Sequence, residues 1–78
     1  MDLKQILIDI ARAIVDTPDS VTVEETVNGD DVKFVLRVAE EDTGMVIGHH
    51  GKIAKAIRSV MKSVAGTCGK KVNVEIKD

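Results

Sequence analysis

The chain has 78 residues, of which 44% are hydrophobic and 31% charged, and its net charge is −2. A chain of this size buries only about 60% of its unfolded surface, so we expect one domain, residues 1–78, with a small aliphatic core and no second, catalytic domain. No apolar run reaches the roughly 18 residues of a membrane span, and acids interrupt the apolar N-terminus, which is not typical of a signal peptide. The single Cys68 agrees with a reducing compartment. We therefore predict a cytoplasmic protein that does not associate with membranes.

The first half of the chain begins with a predicted helix. Asp2 followed by Gln5 forms a variant of the capping box, and apolar residues then recur at helical spacing from Leu3 to Ile14. Pro18 is expected to lie beyond the end of this helix, because proline cannot continue one.

Two strands follow the helix. Valines alternate with polar residues from Val21 to Val27, and the Asn-Gly-Asp-Asp sequence from Asn28 supplies residues suited to a hairpin turn. The second strand, Val32–Val38, is almost continuously apolar. We therefore expect it to be the central strand of the sheet.

The helical pattern returns after the acidic residues 40–42. Asp42 or Thr43 is predicted to cap a short helix that Gly48 ends, because glycine enters the left-handed region without steric cost. Gly51 is predicted to open a longer helix, which continues to about Ala65.

The last element is a third strand over residues 72–76, where apolar and polar residues alternate. The resulting order is αββααβ, an α+β fold. A hairpin followed by a helical crossover to a third strand predicts a three-stranded mixed sheet with the helices packed on one face.

Charge is distributed unevenly along the chain. Residues 1–42 carry eleven acids and four bases, a net charge of −7, whereas residues 43–78 carry seven bases and two acids, a net charge of +5. This asymmetry suggests that the second half faces a polyanion, although charge alone leaves open that both signs lie on solvated faces.

The longer helix is predicted to have an apolar side and a cationic side. Its apolar positions share one arc: Ile53, Ala56, Ile57, Val60, Met61 and Val64. Its basic positions fall on the opposite side, with the first of them at the edge: Lys52, Lys55, Arg58 and Lys62. The basic stripe starts directly beside the glycine pair, which favours a binding role for it.

The turn Gly48-His49-His50-Gly51 is the candidate binding loop. A tight turn between two helices leaves backbone N–H groups of the second helix unpaired at the positive end of its dipole, where an anion binds favourably. Glycine also removes the Cβ atoms that would keep a phosphodiester backbone at a distance. Neighbouring apolar residues are expected to form a floor for unstacked bases: Ile47, Ile53 and Ala54.

Other glycine-loop and metal chemistries are disfavoured. A P-loop requires Gly-Lys-Ser/Thr, but Gly51-Lys52 precedes Ile53, and no strand leads directly into a dinucleotide fingerprint. A metal site needs three or four convergent ligands, and the histidine pair is joined only by the distant Cys68 and scattered carboxylates. We therefore expect no metal, no cofactor and no catalytic centre.

The stretch VIGHHGKIAKAI, residues 46–57, resembles the signature of the KH domain. The αββααβ order is similar to the type II arrangement of that family, and the resemblance covers essentially the whole chain. DTGMVIG before the glycine turn and AIRSVMKSVAG after it are similar to the small bacterial single-KH-domain RNA-binding proteins of the KhpA type.

This resemblance implies a single-stranded RNA-binding protein, an RNA chaperone or post-transcriptional regulator, whose Gly-x-x-Gly loop clamps the RNA backbone. By position, Gly48 and Gly51 are the clamp glycines, and His49 and His50 are the variable pair over the phosphates. The rest of the implied site is Ile47, Lys52, Ile53, Ala54, Lys55 and Arg58. Because the family usually has Lys or Arg in the variable pair, we expect weak intrinsic binding.

The resemblance also implies a homodimer, or a heterodimer with a larger Jag-type KH protein, and a link to bacterial cell growth, envelope or division control. One KH groove reads few nucleotides, so pairing would raise the effective concentration. The alternative function is therefore a protein interaction module. The residues proposed to leave apolar area for such a contact are Met61, Val64 and Ala65.

Overall fold

A computed structural model describes residues 2–77, without the side chains of Ile47, His49 and His50. Its elements are, in chain order, α1 Leu3–Ile14, a 3-10 turn Pro18–Ser20, β1 Thr22–Asn28, β2 Asp31–Arg37, α2 Glu40–Thr67 and β3 Lys71–Lys77. This is the predicted α+β order, and both predicted C-terminal helices lie within α2. Each predicted strand is present with bounds that differ by only a few residues.

Helix α1 is capped as predicted at its first turn. The Asp2 side chain accepts a hydrogen bond of 3.2 Å from the backbone N–H of Gln5. The Gln5 side chain does not return the bond but donates to Asp9 Oδ1 at 2.9 Å. The buried residues of α1 recur every four positions: Leu3, Leu7 and Ala11. This spacing turns one face of the helix to the core.

The sheet is mixed and has β2 at its centre, as predicted. Its strand order is β1-β2-β3, with β1 antiparallel and β3 parallel to β2. Phe34 of β2 is fully buried and pairs with Glu25 on one side and Val74 on the other. The hairpin between β1 and β2 turns at Gly29, which has φ +64°.

The two faces of the sheet differ in polarity. The helices cover the face that carries Val23, Val32, Phe34, Leu36 and Val74, all buried. The opposite, open face carries exposed ion pairs between Lys33 and Glu75 at 3.5 Å, Arg37 and Glu24 at 3.5 Å, and Lys77 and Glu75 at 3.6 Å. The core therefore lies on one side of the sheet only.

Helix α2 is interrupted at Gly51 rather than at Gly48. Gly51 has φ +71°, outside the right-handed helical region, whereas Gly48 has no positive φ and lies within the helix. The prediction that Gly48 supplies the left-handed residue is therefore wrong. We call residues 40–50 the N-terminal arm of α2 and residues 52–67 its C-terminal arm.

The N-terminal arm begins earlier than predicted. Its N-cap is Ala39, without a side-chain cap, so neither Asp42 nor Thr43 caps it. The first turn contains three acids, Glu40, Glu41 and Asp42, which the positive end of the helix dipole stabilises. No helix in residues 2–77 is long and apolar enough to cross a membrane.

Candidate nucleic-acid interface

The two glycines of the candidate loop differ in backbone conformation. Gly51 has a positive φ, which a residue with a Cβ adopts only with strain. Gly48 has helical backbone, and a Cβ built on it would meet no heavy atom within 4 Å. Glycine within a helix costs about 1 kcal/mol relative to alanine. Neither backbone conformation nor packing among the described residues therefore explains Gly48, whereas close approach of a ligand would.

Position distinguishes Gly48 from the other helical glycines. A Cβ on Gly44 or Gly66 would also meet no heavy atom within 4 Å. Only Gly48 of these three stands three residues before the interruption at Gly51, where the acidic N-terminal arm gives way to the basic C-terminal arm. Gly66, at the far end of the C-terminal arm, is therefore a useful reference position.

The basic residues of the C-terminal arm form one exposed flank. We define the basic flank as Lys52, Lys55, Arg58 and Lys62, all exposed. The buried side of the same arm consists of Ala54, Ile57, Met61 and Ala65. At 3.6 residues per turn, the last three residues of the flank lie about a quarter turn from the buried side, not opposite to it as predicted.

Arg58 lies against the free edge of β3. Its Nε donates a hydrogen bond of 3.1 Å to the carbonyl oxygen of Val74. On the β2 side of the strand, the backbone N–H of Lys71 donates to Asp30 O, and the carbonyl oxygen of Lys77 accepts from the N–H of Val38. Val74 is an odd number of residues from both, and backbone groups along a strand alternate between its two edges. The Val74 carbonyl therefore points to the outer edge of β3, and Arg58 attaches the basic flank to this edge.

The positive charge of the lysines on the flank is not neutralised by acids within residues 2–77. The ion pairs described above lie on the open face of the sheet and involve Lys33, Arg37 and Lys77. None among the described residues involves Lys52, Lys55 or Lys62. The flank is thus the basic surface available to an anion beside the glycine turn.

The predicted apolar floor is smaller than expected. Ala54 is only 4% exposed, so it packs inside and offers almost no surface to a base. Ile53 is half-buried and packs against the core while keeping some exposed area. The predicted contacts of the Ile47, His49 and His50 side chains lie outside the described residues.

The exposed apolar surface of the C-terminal arm differs from the prediction. Ala56 and Val60 were expected to pack but are exposed, Val60 by 44%. Met61 and Ala65, expected to leave area for a protein contact, are buried in the core. The buried side of the C-terminal arm is therefore rotated about the helix axis relative to the predicted apolar arc, and its centre lies at Ile57 and Met61.

The described residues contain no group of three or more His, Cys, Asp or Glu residues that could hold a metal ion. The side chains of His49 and His50 lie outside this statement. What the described geometry offers is an open glycine surface beside unpaired lysines, which suits a phosphate-bearing ligand.

A family model described as KhpA/KhpB, KH domain matches residues 4–76. The chain belongs to this family. The match confirms the predicted KH domain and agrees with the expectation of a non-catalytic protein.

Curated relatives of this KH chain extend over almost its full length. A protein of Clostridium acetobutylicum is 49% identical over 74 residues, covering 95% of this chain and 99% of the relative. Proteins of Treponema pallidum and Listeria monocytogenes are 41% and 34% identical and cover 96% and 95% of this chain, and 94% and 97% of their own. All three relatives carry the name RNA-binding protein KhpA.

A solved structure supports the type II KH fold. The crystal structure of Era from Aquifex aeolicus matches with a TM-score of 0.60 and 21% sequence identity, over 95% of this chain and 27% of that chain. At this identity the likeness concerns the fold, and it confirms the three-stranded mixed sheet covered by helices on one face.

Proposed function

We propose that this chain, as a single KH domain over residues 1–78, binds single-stranded RNA by its backbone. The Gly48–Gly51 turn would contact a phosphodiester segment, and the basic flank would attract the neighbouring phosphates. Through this binding the protein would act as an RNA chaperone or post-transcriptional regulator in a bacterial cell. The family resemblance links such a role to cell growth, envelope or division control.

The observation that carries this proposal is the juxtaposition of Gly48 with the lysines of the basic flank. Neither the backbone conformation nor the packing at position 48 requires a glycine. The lysines that follow are exposed and form no ion pair with the described residues. KH domains clamp about four single-stranded nucleotides at this position of the fold. The relatives named RNA-binding protein KhpA support the same ligand.

The composition favours backbone contact over base stacking. The chain has one Phe and no Trp or Tyr, so it lacks the aromatic platforms used by other single-strand binders. Phe34 is fully buried in the core and cannot contact a base. Affinity should therefore come mainly from phosphates, and it should be modest and sensitive to salt.

Fluorescence anisotropy with a pool of short single-stranded RNAs of random sequence tests the proposal. The Gly48→Asp, Gly51→Asp double variant should lose binding, because two carboxylates would occupy the phosphate site. Its matched control, Ser20→Asp with Thr26→Asp, adds the same charge at exposed positions of the N-terminal half and should bind like the wild type. Circular dichroism checks that both variants fold. Equal affinities for the two folded variants, or absence of binding by the wild type, would contradict the proposal.

A second candidate function is protein interaction, as a homodimer or as the partner of a larger Jag-type KH protein. The supporting observation is the exposed apolar pair Ala56 and Val60 on the C-terminal arm. Size-exclusion chromatography with light scattering tests self-association: Val60→Glu should shift a dimer to monomer, and Ser59→Glu, its exposed neighbour, should not. RNA binding unchanged by Val60→Glu would show that the two functions are separate.

A further inference from the structure

Asp42 is a buried carboxylate in the first turn of α2. Its side chain is 2% exposed, and no other polar or charged residue among those described is buried. Oδ2 accepts a hydrogen bond of 3.0 Å from the backbone N–H of Thr17, and Oδ1 accepts one of 3.3 Å from the N–H of Asp16. Asp42 thus joins the N-terminal arm to the segment that follows α1.

Stability alone is a weak reason for a buried carboxylate. Removing such a group from water costs several kcal/mol, against which stand two hydrogen bonds and the positive end of the α2 dipole, and no ion pair of the described residues involves Asp42. Directional hydrogen bonds do, however, select one arrangement of the two segments among those that apolar packing alone would tolerate.

The geometry relates Asp42 to the glycine turn. Val46, one helical turn later on the same side of the N-terminal arm, is 1% exposed and packs in the core. Apolar packing at Val46 has no preferred direction, whereas the two hydrogen bonds of Asp42 are directional and therefore restrict rotation of the arm about its axis. The arm ends one turn later at residue 50, directly before the interruption at Gly51, and its last turn includes Gly48. Its rotation therefore sets the direction in which Gly48 faces.

We propose that Asp42 is a positioning residue for RNA binding. It fixes the rotation of the N-terminal arm on the end of α1, and it thereby orients the Gly48–Gly51 turn towards the RNA backbone. This inference rests on the proposed function.

Asp42→Asn can either raise or lower RNA affinity. The direction of the change distinguishes a positioning role of the Asp42 side chain from simple repulsion between its negative charge and the RNA. Loss of a negative charge should by itself tighten binding to a polyanion. Loss of one acceptor, and the new amide donor facing a backbone N–H, should instead release the arm and weaken binding by about fivefold. Asp19→Asn, an exposed acid in the neighbouring 3-10 turn, is the matched control and should bind as tightly as the wild type or more tightly. Both are measured at a temperature at which each variant is fully folded.

A spectroscopic readout makes the test independent of RNA. In ¹H–¹⁵N spectra of the free protein, Asp42→Asn should shift the amide signals of Gly48 and Gly51, whereas Asp19→Asn should not. If Asp42→Asn does not fold, Asp42→Glu, which keeps both acceptors but displaces them on a longer side chain, should shift the same signals relative to the wild type. Unmoved glycine signals in the folded Asp42 variant, or an affinity equal to that of Asp19→Asn, would overturn the inference. Failure of the wild type to bind RNA would instead overturn the proposed function, and the glycine signals would still decide whether Asp42 orients the Gly48–Gly51 turn.

Discussion

The Nε of Arg58 donates a hydrogen bond of 3.1 Å to the carbonyl oxygen of Val74 on the outer edge of β3. Arg58 therefore differs from Lys55 and Lys62, its neighbours on the basic flank, because part of its guanidinium is occupied within the fold. A guanidinium carries five N–H donors, so four remain to face a ligand. Arg58 thus serves both the attachment of the C-terminal arm to the sheet and the charge of the flank.

Replacement of Arg58 should affect stability and RNA affinity together. Arg58→Gln removes the charge and the Nε donor, and we expect the free energy of unfolding to fall by about 1 kcal/mol, the net value of one such bond. Lys62→Gln, on the same flank, should weaken RNA binding with little change in stability. Urea denaturation and RNA anisotropy on both variants check this. Equal unfolding midpoints would show that the Val74 bond contributes nothing.

Gly48→Ala should separate stability from binding. Alanine has the higher helix propensity and meets open space at this position, so the variant should be more stable than the wild type by up to about 1 kcal/mol. Its methyl group would hold the RNA backbone away, and we expect binding about tenfold weaker, or about 1.4 kcal/mol.

Gly66→Ala is the matched control for Gly48→Ala, since it meets the same open surroundings in the same helix. It should gain similar stability and keep its RNA affinity. Thermal unfolding and anisotropy measure both quantities. If Gly48→Ala binds RNA like Gly66→Ala, close approach at Gly48 plays no part in binding.

Gly51→Ala should destabilise the protein, in contrast to Gly48→Ala. With φ +71°, an alanine at this position costs about 1–2 kcal/mol. Gly69, with φ +70° in the turn before β3, gives the comparison, because Gly69→Ala should lose similar stability but bind RNA normally once folded. A stability of Gly51→Ala equal to that of the wild type would mean that the turn relaxes to a helical backbone.

The features that the sequence predicts correctly depend on neighbouring residues. The cap at Asp2 follows from a spacing of three residues, and the central position of β2 follows from its continuous run of apolar side chains. The left-handed glycine is different, because glycine tolerates a positive φ at either position, so residue type alone does not distinguish Gly51 from Gly48.

The predictions that fail or are missing depend on contacts between distant residues. The hydrogen bond between Asp42 and Thr17 joins residues 25 positions apart, and that between Arg58 and Val74 joins residues 16 positions apart. No pattern in the neighbouring sequence predicts either bond. The burial of Ala54 depends on the rotation of the C-terminal arm against the sheet. A helical repeat gives the width of an apolar arc, but the part that is buried is decided by what the helix packs against.

The salt dependence of RNA binding measures how many flank residues contact phosphates. If roughly three cations do so, a coefficient of about −0.7 per phosphate for single strands gives a slope of log affinity against log salt near −2. Lys55→Gln should make this slope shallower by about 0.7, because one phosphate contact is lost. Lys33→Gln is the control: Lys33 lies on the open face of the sheet, 3.5 Å from Glu75, and its loss should leave the slope unchanged.

Anisotropy titrations over a series of salt concentrations give all three slopes. A wild-type slope near zero would remove the basic flank from the binding mechanism, and equal changes in the two variants would place the RNA on both faces of the protein.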